Sequence, residues 1–309
     1  MISRVRKFLE AIFQEFLFLV HHLFLLLITL CLPWRVTFAV LRFLTRLGLG
    51  TSALDGAAVR HMLQVFPELS APIALRQLRL HRLVDLADYY KSWIITPGWL
   101  RRYWRVKGDA LPPADEHPAV LFVTFHYGAG FWALRYFQQH GLSMAALYRP
   151  PVARLGERLS TAFFWLRLRS IARLSGSQPI RVGDSQSELM ALARRLLSQR
   201  LPVGVMPDIP VTQHKAVEAQ IFGRKVYFAK ALLRIVVKHD VPVVLYTSVT
   251  DLRDGGRNLH LQVIDRHESV ERLAQKLADT LQAALLRDPT AWHLWAFLHE
   301  IIFDSQPAQ

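Results

Sequence analysis

The sequence predicts an α/β fold: a mixed, largely parallel β-sheet flanked by helices and preceded by an N-terminal hydrophobic membrane-anchor helix. Two observations support this prediction. From residue 105 onward, short apolar runs of strand length alternate with segments of helical periodicity, as in sheets covered by helices. Closer to the N-terminus stands one long apolar segment. We therefore expect an anchor over 1–35 and one domain over 36–309, made of a helical lead-in over 36–104 and an α/β core over 105–309.

The predicted anchor reads FLFLVHHLFLLLITLCL from Phe16 to Leu32. Its length is at the short end of what crosses the hydrocarbon core of a bilayer. The run is long for the apolar part of a signal peptide, and LPWRV after it lacks a small-x-small cleavage pattern, so we expect the segment to be retained. Flanking basic residues leave open whether it spans the bilayer or lies obliquely or in the interface; these are Arg4, Arg6, Lys7 and Arg35.

Helical periodicity also governs residues 36–104. The segment ALRQLRLHRLVDLADYYKSWII repeats apolar residues at intervals of three and four with basic residues between them, which predicts an amphipathic helix. Aromatic and basic residues then crowd into KSWIITPGWLRRYWRVKG. This composition suits a membrane interface, although an exposed basic loop has a similar one.

The α/β core follows the turn-rich segment ALPPADEHP. Its predicted strands are AVLFVTF, SMAALY, PVGVMPD, VPVVLYTSV and, as a fifth, LHLQVID. Its predicted helices are FWALRYFQQHG, LMALARRLLSQR, FAKALLRIVVKHD and SVERLAQKLADTLQAALLRD. Because ligands of such layers bind at the carboxyl ends of the strands, the residues directly after each strand are the candidates for a functional site.

Charge and cysteine content narrow the classes of function. Lys and Arg number 38 against 24 Asp and Glu, a formal charge of +14, which indicates an anionic partner such as lipid headgroups, an acidic carrier protein or nucleic acid. The single cysteine, Cys31, excludes an intramolecular disulfide and a CxxC redox centre, and indicates a reducing compartment. P-loop, GxGxxG and GxSxG motifs are absent, which argues against nucleotide-dependent chemistry and nucleophile-elbow hydrolases.

The strand AVLFVTF leads into HYGAG and a helix, which places His126 at the carboxyl end of a strand. Glycines there allow close backbone approach, and the start of the next helix offers free N–H groups. A neutral imidazole in this position can take the proton from an attacking hydroxyl, while helix-terminal amides or a cation stabilise the oxyanion. The alternative is a core histidine bonded to backbone.

The stretch VLFVTFHYGAGFWAL resembles the histidine motif of the late lipid A acyltransferases, the lauroyl and myristoyl transferases of the wider lysophospholipid and glycerolipid acyltransferase superfamily. Further segments follow in the order of that family: MLQVFPELS, RVKGDAL, ALYRP, PVGVMPD and AQIFGRKVYFAKALLRIV. The resemblance covers nearly the whole chain. It implies a glycerolipid acyltransferase-like fold, with AQIFGRKVYFAKALLRIV forming a phenylalanine-glycine turn and a helix.

The resemblance also implies an activity. It is the transfer of a fatty acyl chain from a thioester, acyl carrier protein or acyl-CoA, to a hydroxyl of a lipid A-like glycolipid or another envelope lipid. No metal or redox cofactor is expected, since the thioester is a co-substrate. The partners are the acyl donor and an anionic membrane lipid, and the place is the bacterial inner membrane, with the catalytic domain on the cytoplasmic face.

Catalytic candidates are His126 as general base, Arg149 as a cation near the oxyanion or a phosphate, and Asp208 as a polar residue of the site. For Arg149 the alternative is a surface arginine before a turn, and for Asp208 a carboxylate that caps a turn. Substrate-binding candidates are Tyr148, Gly128, Gly130, Arg224 and Arg181, the last of which would otherwise be a solvated loop arginine.

One residue departs from the motif of this family, in which four residues follow the histidine and are followed by a carboxylate that orients the imidazole. Phe131 stands at that position, and no Asp or Glu occurs between His126 and Glu157. Loss of the acid from a coupled triad costs about four orders of magnitude in rate. Either Asp208, which also follows an apolar strand, replaces the acid, or a backbone carbonyl holds the imidazole while the glycine turn and Arg149 stabilise the transition state.

Three classes of function therefore compete. The first is an acyltransferase, and the second is a catalytically impaired relative that binds lipid or acyl carrier protein, which Phe131 favours. The third, nucleic-acid binding, has only the charge in its favour, since the basic residues are dispersed without a recognition motif; we expect no nucleic-acid partner. A metal pair formed by His293 and His299 is disfavoured, because a separation of six residues is a poor helical ligand spacing.

Overall fold

The computed structural model describes residues 2–48, 50–113, 119–151, 157–183 and 186–303. Residues 114–118 of the predicted ALPPADEHP turn lie outside the described residues. So do the side chains of the basic residues before the predicted anchor, Arg4, Arg6 and Lys7.

Ten strands form two sheets in the described part of the chain. Seven of them build one sheet in the order β1-β9-β8-β2-β5-β3-β4, in which only the β8–β9 pair is antiparallel. The prediction of a mixed, largely parallel sheet flanked by helices is confirmed. The strands of this sheet are β1 (Trp104–Gly108), β2 (Leu121–Val123), β3 (Ala145–Tyr148), β4 (Ile180–Arg181), β5 (Val203–Val205), β8 (Val243–Thr250) and β9 (Arg257–Ile264).

The second sheet was not predicted. It is antiparallel and contains β6 (Ala216–Ile221), β7 (Arg224–Ala229) and β10 (Ile302–Phe303). The expected turn and helix in AQIFGRKVYFAKALLRIV are therefore a hairpin followed by a shorter helix. Phe222 and Gly223 form its turn, both with positive φ (51° and 72°), which is the backbone geometry that closes two-residue hairpins. Burial alternates along β6, as expected for a strand. This period of two was overlooked because the segment that follows has helical periodicity.

Helices cover both faces of the main sheet. Helix α7 has no counterpart among the predicted elements, because only three of its residues are buried and its periodicity is weak: Ser170, Leu174 and Ser175. The helices are α1 (Ile2–Cys31), α2 (Trp34–Arg46), α3 (Asp55–Val65), α4 (Ala71–Lys91), α5 (Pro97–Tyr103), α6 (Phe131–Gln139), α7 (Arg158–Ser175), α8 (Gln186–Leu197), α9 (Lys230–Lys238), α10 (Val270–Arg287) and α11 (Leu298–Ile301).

The apolar core has two halves, one on each face of the sheet. Strand β8 shows the division: Val243 and Leu245 belong to the half under α10, while Val244 and Tyr246 belong to the half under α1, α2, α4 and α6. Successive side chains of a strand point to opposite faces, so an uninterrupted apolar run fits a strand covered on both sides. Each buried large aliphatic side chain contributes about 1.5–3 kcal/mol.

Helix α1 has one packed face and two faces that are apolar and open. Glu15 accepts the backbone N–H groups of Arg158 and Leu159 at the start of α7, and His22 Nδ1 lies 2.5 Å from the Tyr90 hydroxyl of α4. The remaining faces expose a continuous apolar surface: Ile12, Phe13, Phe16, Leu17, Leu19, Val20, Leu23, Phe24 and Leu27. Over Glu10–Cys31 the helix is long and apolar enough to cross a membrane.

A buried ion pair joins the helical lead-in to the sheet. Asp88 of α4 and Arg257 of β9 are both fully buried and form two hydrogen bonds, one of them 2.8 Å long between Arg257 Nε and Asp88 Oδ2. The guanidinium carbon also lies 4.6 Å from the ring centroid of Trp34, whose indole N–H donates to the Gly255 carbonyl. The cluster joins α2 and α4 to strand β9 of the main sheet.

Candidate functional site

The register of two neighbouring strands brings His126 and Asp208 together. In the parallel β2–β5 pair Val123 lies opposite Val205, and each of the two polar residues follows its strand by three positions. The two chain segments leave the sheet side by side, so the side chains meet at its carboxyl edge. His126 Nδ1 lies 2.9 Å from Asp208 Oδ1, and the His126 backbone N–H donates to Asp208 Oδ2 at 2.8 Å.

A third donor completes the surroundings of this carboxylate. The indole N–H of Trp292 donates to Asp208 Oδ2 at 2.9 Å, and both residues are fully buried. A carboxylate held by three donors stays in one rotamer and accepts the proton that Nδ1 carries. The imidazole is therefore held with Nε2 as its basic nitrogen. The His126 side chain remains 31% exposed, so the ring is partly accessible to a substrate.

The Asp208 carboxylate also controls the basicity of the imidazole. Burial by itself would lower the pKa of His126, but the charge of Asp208 and its hydrogen bond raise the pKa, and the net direction is upward from the ordinary value of 6.5. A raised pKa makes the neutral imidazole a better proton acceptor and stabilises the imidazolium that forms when it takes a proton.

The glycine turn after His126 divides into a packed part and an open part. Gly128 has a positive φ of 67°, and a Cβ there would lie 2.1 Å from the Ser248 carbonyl oxygen. Its N–H donates to the Ala291 carbonyl at 2.8 Å, so this backbone is engaged by the protein. Around Gly130, by contrast, a Cβ would meet nothing within 4 Å. The open side of the turn is therefore Gly130 and the start of α6, where the first N–H groups have no partner within the helix.

His293 supports the same turn from behind. Its ring Nε2–H donates to the Gly128 carbonyl at 2.8 Å, and its backbone N–H donates to the His126 carbonyl at the same distance. Burial lowers the pKa of His293, which keeps the ring neutral. In the structurally described residues, no group of three or more His, Cys, Asp or Glu side chains is arranged to hold a metal ion.

Phe131, which stands where the resembled motif has its acid, packs against a cation. The Arg167 guanidinium carbon of α7 lies 4.7 Å from the Phe131 ring centroid, and Arg167 donates to Asp85 of α4 at 2.7 Å. Both charges influence the pKa of His126: Asp85 raises this pKa and Arg167 lowers it. Arg167 is 34% exposed, so this ion pair borders the open side of the site.

The remaining candidates belong to or follow strands that are not adjacent to β2 in the sheet. Tyr148 ends β3, the neighbour of β5, and packs against the rings of α7, while Arg149 follows it and is exposed. Arg181 is exposed at the end of the edge strand β4. Arg224 belongs to β7 of the small sheet, so it does not share the edge that carries His126.

Sequence reasoning missed four residues of this site: Trp292, His293 as a support of the turn, Arg167 and Asp85. None follows a core strand, and all four come from segments distant from His126 in the sequence, which only folding brings to the edge. The adjacency of Trp292 and His293 in AWHLW is the one local signal, because aromatic and imidazole N–H donors together suit a buried acceptor.

Comparison with known proteins adds no identification. No family model and no curated protein matches this chain. A function for the chain therefore rests on the geometry around His126 and on the motif resemblance described above.

Proposed function

We propose that this protein is a membrane-associated acyltransferase of glycerolipid acyltransferase-like fold. It moves a fatty acyl chain from an acyl thioester to a hydroxyl of a lipid A-like glycolipid or another envelope lipid. The observation that carries the proposal is the His126–Asp208 pair at the carboxyl edge of the sheet, with Nδ1 engaged by the carboxylate and the His126 side chain 31% exposed. The ordered series of motifs supports the same class of reaction.

In this mechanism His126 acts as general base. Nε2 takes the proton from the acceptor hydroxyl as its oxygen attacks the thioester carbonyl, which forms a C–O bond and a tetrahedral oxyanion. The oxyanion collapses, the C–S bond breaks, and the leaving thiolate receives the proton from the imidazolium. Asp208 holds the ring in one tautomer throughout, as the acid of a catalytic triad does.

The oxyanion needs donors on the open side of the turn. The N–H groups of Gly128 and Ala129 are already bound to the Ala291 and Ser248 carbonyls. The next N–H groups along the chain are those of Gly130, Phe131 and Trp132, since the Ala133 N–H donates to the Gly130 carbonyl, and Arg167 supplies the nearby positive charge. Arg149 is then the candidate for a phosphate of the acceptor or donor, since it is exposed after β3.

The membrane role is supported by the two open apolar faces of α1 and by the formal charge of +14. Such a helix places the domain beside the bilayer, where an anionic lipid acceptor is available, while an acidic acyl carrier protein or acyl-CoA approaches from water. We propose the cytoplasmic face of a bacterial inner membrane as the place of the reaction.

The second candidate function is a catalytically impaired relative that binds lipid or acyl carrier protein. The observation that favours it is Phe131, which is only 5% exposed and offers no carboxylate to the site. Such a protein would bind the same ligands without turnover.

The test is acyl transfer from labelled acyl carrier protein to total envelope lipid, with products identified by mass spectrometry. Membranes contain the parent, His126→Ala or His239→Ala at matched abundance; His239 is an exposed histidine at the end of α9 and serves as the control. We expect a labelled lipid from the parent and from His239→Ala, and none from His126→Ala. A product that is unaffected by His126→Ala, or no product with either acyl carrier protein or acyl-CoA, would overturn the transferase.

A further inference from the structure

A polar cavity lies on the opposite face of β8 from the glycine turn. Its volume is about 300 Å³, and it is a partly open cleft between the β8–β9 hairpin and α10. This volume is at the lower end of what small-molecule sites occupy. The polar residues that line it are Thr247, His260, Gln262, Lys276, Asp279, Thr280 and Arg287.

Regular backbone geometry explains why these side chains converge. Thr247 lies opposite His260 in the antiparallel β8–β9 pair, and Lys107 lies opposite His260 in the parallel β1–β9 pair. Residues that are opposite one another in neighbouring strands share a face of the sheet. On α10 the spacing of four and seven residues puts Lys276, Thr280 and Arg287 on one helix face.

The charge of the cavity lining is positive, with the cations Lys276 and Arg287 against one carboxylate, Asp279. Arg287 donates to the Thr247 hydroxyl at 3.2 Å, and among the described residues no carboxylate lies within ion-pair distance of Arg287 or Lys276. Asp279, the one acidic residue of the lining, accepts instead from Gln275. Burial, followed by the charges of Arg287 and Lys107, lowers the pKa of His260 to about 4. At neutral pH the imidazole is a neutral hydrogen-bonding group among cations.

We propose that this cavity binds a phosphate group, with Arg287 and Lys276 as the cations and Thr247 and His260 as hydrogen-bonding partners. Arginine and lysine around hydroxyl donors match the charge and the acceptor oxygens of a phosphate. The ligand is a phosphomonoester, either of a lipid headgroup or of a soluble molecule. The cleft adjoins the His126 turn across one strand, because Ser248, next to Thr247, donates its hydroxyl to the Ala129 carbonyl at 2.7 Å.

The experiment measures binding and not acyl transfer, so its outcome does not depend on the proposed reaction. Full-length protein in uncharged detergent micelles is titrated calorimetrically with inorganic phosphate, and separately with micelles containing phosphatidic acid. The parent is compared with Arg287→Gln, Lys276→Gln and the control Arg272→Gln, which removes an exposed arginine of the same helix outside the cavity. Circular dichroism checks that each variant is folded.

We expect both cavity variants to bind phosphate about ten-fold more weakly than the parent and Arg272→Gln to bind as the parent does. Tighter binding of phosphatidic acid than of inorganic phosphate, lost in the same two variants, assigns a lipid headgroup, and the reverse order assigns a soluble phosphomonoester. No binding of either probe by the parent, or equal binding by Arg287→Gln and Arg272→Gln, overturns the proposal.

Discussion

Two clusters of this molecule combine a carboxylate, a basic side chain and an indole, yet they differ in one respect. Around Asp208 the basic partner is His126, whose side chain is 31% exposed, and the buried indole of Trp292 donates to the carboxylate. Around Asp88 the basic partner is Arg257, and neither side chain has any exposed surface. A buried charge pair stabilises or specifies packing, whereas a buried carboxylate with a reachable, titratable partner can do chemistry. The exposure of the basic group therefore distinguishes the candidate functional site from the buried structural ion pair.

Among substitutions in the two clusters, we expect the largest change in activity at Asp208. Asp208→Asn keeps the volume but puts an amide beside Nδ1, which favours the tautomer with the proton on Nε2. We expect acyl transfer to fall by roughly 10³–10⁴-fold, as in other triads that lose their acid. The free energy of unfolding should change much less than in the Asp88 variant described next. Steady-state transfer by membranes of matched protein content measures this, and transfer at the parental rate would show that Asp208 is not the orienting acid.

The Asp88 cluster should respond in the opposite way. Asp88→Ala leaves the guanidinium of Arg257 buried without its partner, which costs about 3–5 kcal/mol of folding free energy. Urea unfolding of the detergent-solubilised protein measures the loss, and the rate of transfer per folded molecule should stay near that of the parent. A variant with parental stability and reduced turnover would reverse the roles assigned to the two clusters.

A smaller change in activity is expected at Trp292, the indole donor to Asp208. Trp292→Phe removes the N–H donor to Asp208 and keeps most of the apolar volume. Because one hydrogen bond to a charged group contributes about 1.5–3 kcal/mol, part of which is recovered by the two remaining donors, we expect about a ten-fold decrease in kcat/KM. The matched control is Trp165→Phe, since Trp165 lies on α7 with its side chain partly exposed. Equal effects of the two substitutions would remove Trp292 from the site.

The smallest effect concerns pH. His126 must be neutral to accept a proton, so kcat/KM should fall as the pH drops through the raised pKa of His126, with the midpoint above 6.5. In Asp208→Asn the carboxylate no longer raises the pKa and burial still lowers it, so the midpoint of the residual activity should move to lower pH. An unchanged midpoint would mean that another group titrates in this profile.

Several features could be predicted from local sequence. The apolar runs predicted the strands that precede His126 and Asp208, because a strand buried on both faces must be apolar throughout. The long apolar segment predicted a membrane-compatible helix, and α1 is one. The packed stripe of α1 could not be predicted, because Leu25 and Thr29 look like their neighbours until α4 covers them.

Other features required the tertiary structure for identifiable reasons. The β6–β7 hairpin was not predicted because AVEAQI and RKVYFA are followed by a helical segment. Its two-residue turn also depends on a positive φ at Phe222, which is uncommon for phenylalanine and is not indicated by the sequence. Helix α7 was hidden because most of its residues are only partly covered. Its site residue Arg167 therefore had no local signal.

By itself, the sequence determined the strands β2, β3, β5, β8 and β9, the apolar N-terminal helix, and that His126 follows a buried strand. These outcomes depend on periodicity and on neighbouring residues, which the chain carries locally. Only the tertiary structure decided which partners His126 has: Asp208 through the β2–β5 register, Trp292 and His293 from the C-terminal segment, and the Arg167–Asp85 pair beside Phe131. The reason is that strand order, and not distance along the chain, determines which side chains meet at the edge of a parallel sheet.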